Sequence, residues 1–375
     1  MLPELSRPTW VEVNLKAVDH NLKEVRRLVG NKTKIMAIVK ADGYGHGAIE
    51  IAKRVVKAGV DYLGVASLKE GKELRSAKIR LPILILGYTF PSRIEEVVKY
   101  SLTQTVYDLD LIRALDRAAQ KLNKKAKVHI KVDTGMGRLG VLPKRVADLV
   151  GSLSSLSNLK MEGMFTHFSS ADEDEEYTLE QLAKFNKVIK SLERRGVSFP
   201  LKHTANSAAI IRFPQTHFNL VRAGIMLYGL SPFEKQSLIG KKVSLKPALS
   251  LKTKVISVKE LPAGSSVSYG RTYKTKKRAK LAVIPLGYAD GFSRLLSNCG
   301  EALVRGRRVP IRGRVCMDFS IIEASESIKV GEEVVLIGKQ GKEEIKVEEI
   351  AKKMKTINYE VVCLIGRRVP RIYWG

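Results

Sequence analysis

The sequence predicts an α/β protein in which a (β/α)8 TIM-type barrel is followed by a mostly antiparallel β domain. Two observations carry this prediction. Through the first two thirds of the 375 residues, eight short apolar runs alternate with amphipathic helical patterns, and a count of eight favours a closed barrel over an open sheet. From about Leu245 the runs become rich in β-branched residues and are separated by glycine and proline turns, which is typical of antiparallel strands.

The barrel strands are predicted at the eight apolar runs, in chain order residues 35–40, 62–67, 83–87, 103–107, 127–133, 160–167, 202–206 and 220–222. Amphipathic patterns predict helices between them at residues 48–58, 109–122, 143–153 and 178–195. Before the first strand, Asn14 is placed to cap a further helix over residues 17–28.

The change of pattern predicts two domains, a barrel domain over residues 1–244 and a β domain over residues 245–375. Strands of the second domain are predicted at residues 255–259, 279–285, 301–305, 308–312, 320–323 and 333–337, with one helix near 347–354. Residues 10–14 alternate as a strand does, so we expect the first 14 residues to pair with the β domain.

The net charge of +28 raises the possibility of a nucleic-acid partner. However, the basic residues are dispersed, and the densest cluster, residues 274–278, lacks the interleaved aromatics that stack on bases. A solvated basic surface is therefore favoured. Since no apolar stretch reaches bilayer length and Cys299, Cys316 and Cys363 lack metal-ligand spacing, we expect a cytoplasmic protein without metal or membrane.

Polar residues that are unusual in apolar strands fall at the carboxyl ends of the predicted barrel strands, where barrel active sites lie. Lys40 ends the first strand beside a glycine-rich turn. A desolvated lysine can form a Schiff base, although a lysine at the solvated exit of a strand explains the local pattern equally well. Further polar residues follow the fifth to eighth strands, at residues 133–138, 166–168, 203–207 and 222–225.

The loops after the seventh and eighth strands are the usual phosphate site of such barrels. Here they offer the hydroxyl of Ser207 and the backbone amide of Gly224, which suit phosphate oxygens. A Schiff-base lysine together with a phosphate site predicts that the cofactor is pyridoxal 5'-phosphate.

With these motifs the sequence resembles the alanine racemase family, over residues 39–47, 133–140, 203–207, 221–225, 267–270, 287–291, 313–318 and 357–360. The resemblance implies an isomerase that interconverts L-alanine and D-alanine, the latter for peptidoglycan. It implies two-base transfer of the α-proton on a pyridoxal phosphate Schiff base, with Lys40 as cofactor anchor and one base and Tyr269 as the opposite base.

The resemblance also places Arg222 against the pyridine nitrogen, with His167 between its positive charge and Tyr269. Arginine is a donor that stays charged, so we expect it to disfavour protonation of the pyridine nitrogen. The substrate carbanion should then be short-lived and be reprotonated quickly at the α-carbon. The remaining cofactor residues implied are Tyr44, His167, Asn206, Ser207, Gly224, Ile225 and Tyr359.

For the substrate carboxylate the resemblance implies Arg138 and the backbone amide of Met317. Lys131 matches a position that is carbamylated in many relatives, and an inward lysine satisfied by Asp133 is the alternative. Supporting and corridor positions implied are His203, Tyr288, Asp318, Arg294, Arg314, Ile357 and Asp172. The resemblance further implies a homodimer with shared active sites, in which Tyr269 and Met317 act on the partner's barrel.

Several alternatives stay open from the sequence. A serine racemase or a broad-specificity racemase would share these motifs. A barrel-type pyridoxal phosphate decarboxylase is disfavoured, because such enzymes typically place an acidic residue where Arg222 stands. A non-catalytic pyridoxal phosphate carrier is also disfavoured, because such proteins resemble the barrel alone.

Overall fold

The computed structural model describes residues 7–234, 243–324 and 327–375. These residues group into two compact units. One unit contains the described residues up to Ala17, the stretch Tyr44–Gly47, and Pro247–Gly375, and the other contains Val18–Gly43 and Ala48–Lys246. We call them the β unit and the barrel unit.

The stretch Tyr44–Gly47 groups with the β unit, although the sequence placed it in the barrel domain. The carbonyl of Gly45 accepts hydrogen bonds from Nε and Nη2 of Arg371 at 3.1 and 3.0 Å. Gly45 has a φ of +78°, and a Cβ there would lie 2.0 Å from the carbonyl oxygen of Val362. Only glycine permits this approach of two backbones, a long-range contact that the local sequence does not reveal.

The barrel unit is built on eight parallel strands, which confirms the predicted fold class. In chain order the strands are Lys34–Ile38, Tyr62–Val65, Ile83–Ile85, Thr103–Val106, Ala126–Lys131, Leu159–Phe165, Leu201–His203 and Leu220–Ala223. Neighbouring strands are paired in sequence order, and the first also pairs with the eighth. Between the seventh and eighth, the backbone amide of Arg222 donates to the carbonyl of Ala205 at 3.0 Å, which nearly closes the barrel.

Helices cover the barrel because each carries one apolar face, as with the buried Ile51, Ala52 and Val55. The helices are Leu15–Val29, Ala48–Lys57, Leu68–Ser76, Ile94–Lys99, Leu109–Lys121, Val146–Ser154, Glu175–Glu193 and Ser207–Arg212. The predicted cap is confirmed, since Oδ1 of Asn14 accepts from the amide of Ala17 at 3.1 Å. Among the described residues, no helix has both the length and the apolar character needed to cross a bilayer.

The β unit contains a seven-stranded sheet with the path Arg307–Pro310, Glu301–Val304, Glu333–Gln340, Leu249–Lys254, Thr9–Asn14 and Arg371–Trp374, to which Glu343–Ile345 adds at Glu333–Gln340. A second sheet joins Ser257–Leu261, Ala279–Ile284 and Ser320–Ala324, and a hairpin pairs Ser266–Val267 with Tyr273–Lys274. Pairing is antiparallel except between Thr9–Asn14 and Arg371–Trp374. Two helices, Val347–Met354 and Asn358–Leu364, follow.

A substitution at Gly163 tests how tightly the barrel interior is packed. A Cβ at this strand residue would lie 2.7–2.9 Å from ring atoms of the buried His129. We expect Gly163→Ala to lower the free energy of unfolding by about 1–3 kcal/mol, because overpacking forces strain into a dense core. Urea unfolding measures the loss.

The matched control is Gly151→Ala, because Gly151 lies inside the helix Val146–Ser154 with no atom within 4 Å of a built Cβ. Alanine there should raise the free energy of unfolding by about 0.5–1 kcal/mol through helix propensity. Equal effects of the two substitutions would contradict this picture of the barrel interior.

Candidate active site

Lys40 lies two residues past the end of the first barrel strand, Lys34–Ile38. The four residues that follow, 41–44, all have φ between 51° and 62° and form a left-handed turn. Three of the four carry side chains, and an L-residue pays roughly 1–2 kcal/mol in this region because its Cβ crowds the carbonyl. Strain of this kind persists where the surroundings enforce it, and it concentrates at functional sites.

Two carboxylates hold the left-handed turn. Oε1 of Glu70 accepts from the amide of Ala41 at 2.8 Å, and Oδ1 of Asp42 accepts from the amide of Ala48 at 3.0 Å. These two hydrogen bonds hold the backbone that follows Lys40, and so they fix the direction in which the lysine side chain leaves the backbone.

Arg222 is buried at the carboxyl end of the eighth barrel strand. Its terminal nitrogens donate to the carbonyls of Thr166, His203 and Thr204 at 2.8–3.0 Å, and to Nδ1 of His203 and His167 at 2.8 and 3.2 Å. These acceptors are all neutral groups. Burial lowers the pKa of Arg222 to about 9, which leaves the guanidinium charged at neutral pH.

The Nε–H of Arg222 makes no hydrogen bond with the described part of the chain, so it is the donor that remains for a ligand. The two histidines beside Arg222 are uncharged. Burial, followed by the charge of Arg222, lowers the pKa of both His167 and His203 well below the ordinary range. The positive charge expected behind His167 therefore resides on Arg222 alone.

Asp133 organises the loop after the fifth barrel strand. Its Oδ1 accepts hydrogen bonds from the amides of Gly135, Met136 and Gly137 at 2.9–3.1 Å. Residues 135–140 have Gly-x-Gly-x-x-Gly spacing, yet Val141 bridges back to Val132 instead of opening a helix. The loop is therefore not a dinucleotide-binding turn.

Lys131 and Arg138 bracket this loop, Lys131 buried at the strand end and Arg138 exposed. Burial, and then the charges of Arg138 and Arg222, lower the pKa of Lys131 to about 8. Asp133 opposes this shift only weakly, so the alternative of a lysine satisfied by Asp133 has little support. A lysine in this state has a substantial neutral amine fraction near neutral pH.

Ser207, Gly224 and Ile225 lie together at the ends of the seventh and eighth barrel strands. Oγ of Ser207 accepts from the amide of Gly224 at 3.0 Å and from that of Met226 at 3.4 Å. Ile225 begins the 3-10 helix Ile225–Tyr228, so its amide has no partner within that helix. Asn206 instead caps the helix Ser207–Arg212, where its Oδ1 accepts from the amide of Ala209.

Tyr269 lies on a strained turn of the β unit and is exposed over 70% of its surface. The preceding Ser268 has φ 62° and ψ −174°, a region that is almost confined to glycine. Oγ of Ser268 donates to the carbonyl of Arg314 at 2.6 Å and so holds this conformation. The phenol is thus presented outward on a well-determined backbone.

The β unit also contains other residues that the sequence predicted for the site. Met317 and Tyr288 are exposed over 53% and 42% of their surfaces, and the carbonyl of Met317 accepts from the amide of Ala289 at 3.0 Å. Asp318 pairs with Arg368 at 2.7 Å. The buried Tyr44 and the half-buried Tyr359 lie with ring centroids 6.2 Å apart.

The residues of the barrel unit fit pyridoxal 5'-phosphate. Lys40 carries the amine that would react with the carbonyl group of the cofactor. Ser207 and Ile225 carry the hydroxyl and amide donors that would bind its phosphate. The pyridine nitrogen of the cofactor accepts a hydrogen bond when it is unprotonated, and the Nε–H of Arg222 could donate one. No cluster of three or more His, Cys, Asp or Glu side chains suited to a metal occurs within the described ranges.

The barrel and this set of residues define a class, barrel enzymes that act on amino acids. Residues 13–232 match the family model for the alanine racemase N-terminal domain, and residues 248–373 match that for the C-terminal domain. An alanine racemase of Halothermothrix orenii is 50% identical over 100% of this chain and 98% of its own. The chain belongs to the alanine racemase family, whose members are pyridoxal phosphate-dependent isomerases.

Solved structures agree with this assignment. The alanine racemase of Clostridium difficile 630 has a TM-score of 0.94 and 41% identity, covering 99% of this chain and 97% of that one. A histidine racemase of Leuconostoc mesenteroides subsp. sake has a TM-score of 0.91 and 30% identity, covering 99% of both chains. The fold therefore accommodates more than one amino-acid racemase.

Two groups beside the site were missed by the sequence analysis. Glu70 had a local signal, because Ser67 and Glu70 have capping-box spacing, and the structure forms that box. The buried His129 and the half-buried Glu162 had none, because each lies within a strand pattern and their proximity depends on barrel closure.

Lys131 offers a test of the site's electrostatics. Its pKa of about 8 in the folded chain lies below the value of about 10.4 for an unfolded chain. The unfolded state therefore binds more protons between these values, and stability rises with pH across that window. In CO2-free buffer, the unfolding free energy of the wild type minus that of Lys131→Met should rise by about 2.5 kcal/mol from pH 8 to pH 10.5.

The control is Lys160→Met, which removes an exposed lysine from the neighbouring strand. Its difference from the wild type should stay flat over the same range. A flat difference for Lys131→Met as well would show that burial does not shift Lys131.

Proposed function

We propose that this protein interconverts L-alanine and D-alanine, with pyridoxal 5'-phosphate bound in the barrel unit and Lys40 as its covalent anchor. Family membership supports the reaction class. The observation that carries the choice of chemistry is Arg222, a buried cation held by neutral acceptors only. Decarboxylases of this barrel class typically place a carboxylate there, so Arg222 favours racemisation.

Racemisation needs one proton acceptor and one proton donor on opposite faces of the substrate α-carbon. When bound, the cofactor supplies an imine and an aromatic ring that delocalise the electron pair left by the departing proton. Nζ of Lys40 takes the α-proton on one face, while Oη of Tyr269 delivers its proton to the other. The reverse reaction exchanges the two roles.

Arg222 limits the reaction to proton exchange. Its guanidinium is a donor that stays charged, so its Nε–H would donate to the ring nitrogen of the bound cofactor and would oppose protonation of that nitrogen. Within the barrel unit, the residues that would hold the phosphate are Ser207, Gly224 and Ile225.

Arg138 and the amide of Met317 hold the substrate carboxylate in this proposal. The neutral amine of Lys131 attacks the carbon of CO2 and loses one proton, which yields a carbamate anion. That anion gives Arg138 a partner of opposite charge, whereas the ammonium form repels it. Carbamylation therefore explains why a cation-rich site keeps a buried lysine.

The proposal includes a homodimer with shared sites. Tyr269 and Met317 are apolar or aromatic side chains that stay exposed in the single chain, as do Leu295 and Phe319. Exposed groups of this kind on one unit suit a subunit interface. Tyr269 and Met317 then complete the site on the partner's barrel.

A second candidate, racemisation of a larger amino acid such as histidine or serine, is favoured by one observation. A histidine racemase shares this fold at 30% identity. Competition assays separate the candidates, because alanine should have a kcat/KM well above that of histidine or serine if alanine is the substrate.

The racemase proposal is tested by incubating the protein with L-alanine in D2O. D-alanine carrying α-deuterium should appear, and Lys40→Ala should lose both this product and the visible absorbance of bound cofactor. Tyr269→Phe should slow inversion by about 10²–10⁴-fold, the usual contribution of one general acid or base, while α-deuteration of one enantiomer continues through Lys40.

Tyr273→Phe is the matched control, because Tyr273 lies on the adjacent hairpin strand, with its ring against Arg312. It should keep full activity. Release of CO2, or alanine recovered without deuterium, would contradict the racemase proposal.

Shared sites are tested by mixing two inactive variants, Lys40→Ala and Tyr269→Ala, under conditions that exchange subunits. Random pairing should restore about a quarter of the wild-type sites, because each mixed dimer regains one intact site. The control mixture, Lys40→Ala with Arg138→Ala, places both changes in barrels and should restore nothing. Absence of recovery in the first mixture would mean that Tyr269 does not act on the partner's barrel.

A further inference from the structure

A continuous row of polar side chains runs through the barrel interior from Arg222. Nη1 of Arg222 donates to Nδ1 of His203 at 2.8 Å, and Nε2 of His203 lies 2.9 Å from Nδ1 of His129. Nε2 of His129 lies 3.5 Å from Oε2 of Glu162. The arginine and both histidines are buried, and the Glu162 side chain is only 13% exposed.

The direction of this row is determined by its first member. Arginine has no acceptor, so Nδ1 of His203 must accept and the proton of that neutral ring must lie on Nε2. Nε2 of His203 then donates to Nδ1 of His129, which places the His129 proton on Nε2. That N–H faces the Glu162 carboxylate, whereas a lone pair there would be repelled by it.

Glu162 is the last member of the row and is itself held from the other side. Its Oε2 accepts from the Tyr62 hydroxyl at 2.6 Å, and its Oε1 lies 2.8 Å from Nζ of Lys127. Burial raises the pKa of Glu162, but the contacts with His129 and Lys127 and the hydrogen bond from Tyr62 outweigh it and hold the pKa at about 2. Glu162 is therefore an anion at every pH at which the enzyme works.

Packing leaves the two histidines little freedom. The His203 ring is stacked on Phe165, with centroids 4.6 Å apart and planes 7° from parallel. The His129 ring fills the space that Gly163 leaves open. Neither ring can turn over without displacing its neighbours, so the orientation of each is imposed by the core.

We propose that Glu162 is a positioning residue for Arg222, acting through His129 and His203. The carboxylate stabilises, from the far end of the row, the Nε2–H tautomers that Arg222 requires, and so it keeps Nδ1 of His203 as the acceptor that orients the guanidinium. The effect of this orientation on catalysis rests on the proposed function. The predicted tautomers of His129 and His203 do not depend on it.

The tautomers are measured directly by long-range 1H–15N NMR of the full chain labelled with 15N-histidine. His129 and His203 should both be neutral with the proton on Nε2 throughout pH 6–8. A proton on Nδ1 of either ring in the wild-type protein overturns the proposal, whatever the enzyme's activity.

Glu162→Gln provides the second test. Lys127 can only donate, so the Gln carbonyl takes the Oε1 position and the NH2 group takes the Oε2 position, where it faces Nε2 of His129. That NH2 group opposes the Nε2–H tautomer that Arg222 requires. We expect the signals of His129 and His203 no longer to show the Nε2–H form alone, and kcat of the cofactor-loaded enzyme to fall by about 10-fold or more, the usual effect of removing an orienting partner. KM should change less than about two-fold, because the substrate carboxylate is held elsewhere.

Two further variants complete the test. Glu162→Asp keeps the charge and should retain the Nε2–H tautomers and more activity than Glu162→Gln, even if both are less stable. Glu193→Gln removes an exposed carboxylate that pairs with Lys202 and should leave tautomers and kcat unchanged. Unaltered tautomers and kcat in Glu162→Gln would overturn the proposal.

Discussion

The burial of one arginine is the constraint on which the site depends. A guanidinium inside a barrel loses its hydration, and that loss is tolerated only when its donors find partners. Arg222 finds them in backbone carbonyls and in two neutral histidines. This choice of partners keeps the charge on Arg222 unneutralised by direct contact. Burial, followed by that charge, lowers the pKa values of His167 and His203, and burial, Arg138 and Arg222 together lower the pKa of Lys131.

Backbone strain concentrates at the two residues proposed as bases. Residues 41–44 follow Lys40 in a left-handed turn, and Ser268 precedes Tyr269 in a region that side chains rarely adopt. Both strained segments are held by specific hydrogen bonds, from the carboxylate of Glu70 in one case and to the carbonyl of Arg314 in the other. Strain enforced in this way positions reacting groups at the expense of stability.

Most of the fold could be predicted from the sequence, because buried parallel strands are short apolar runs and eight of them alternate with amphipathic helices. The strands Leu249–Lys254 and Arg371–Trp374 were missed, since polar residues interrupt one and the chain end limits the pattern of the other. Helix Leu68–Ser76 was missed because Gly71 interrupts its pattern, where the Leu102 side chain packs closely.

Local motifs identified Lys40, Ser207 and Arg222, and the structure brings Ser207 together with Gly224. The neutral state of His167 and the row from Arg222 to Glu162 could not be predicted. Both arise from contacts between strands far apart in the chain, and no short motif encodes them.

The central claim is that the charge of Arg222 confines the reaction to proton exchange. It is tested by counting pyruvate, the product of amino-group loss to the cofactor, per D-alanine formed in the wild type and in Arg222→Glu. Pyruvate should be rare in the wild type and should rise sharply relative to D-alanine in Arg222→Glu, because a carboxylate favours protonation of the cofactor's ring nitrogen. An unchanged ratio of pyruvate to D-alanine would contradict it.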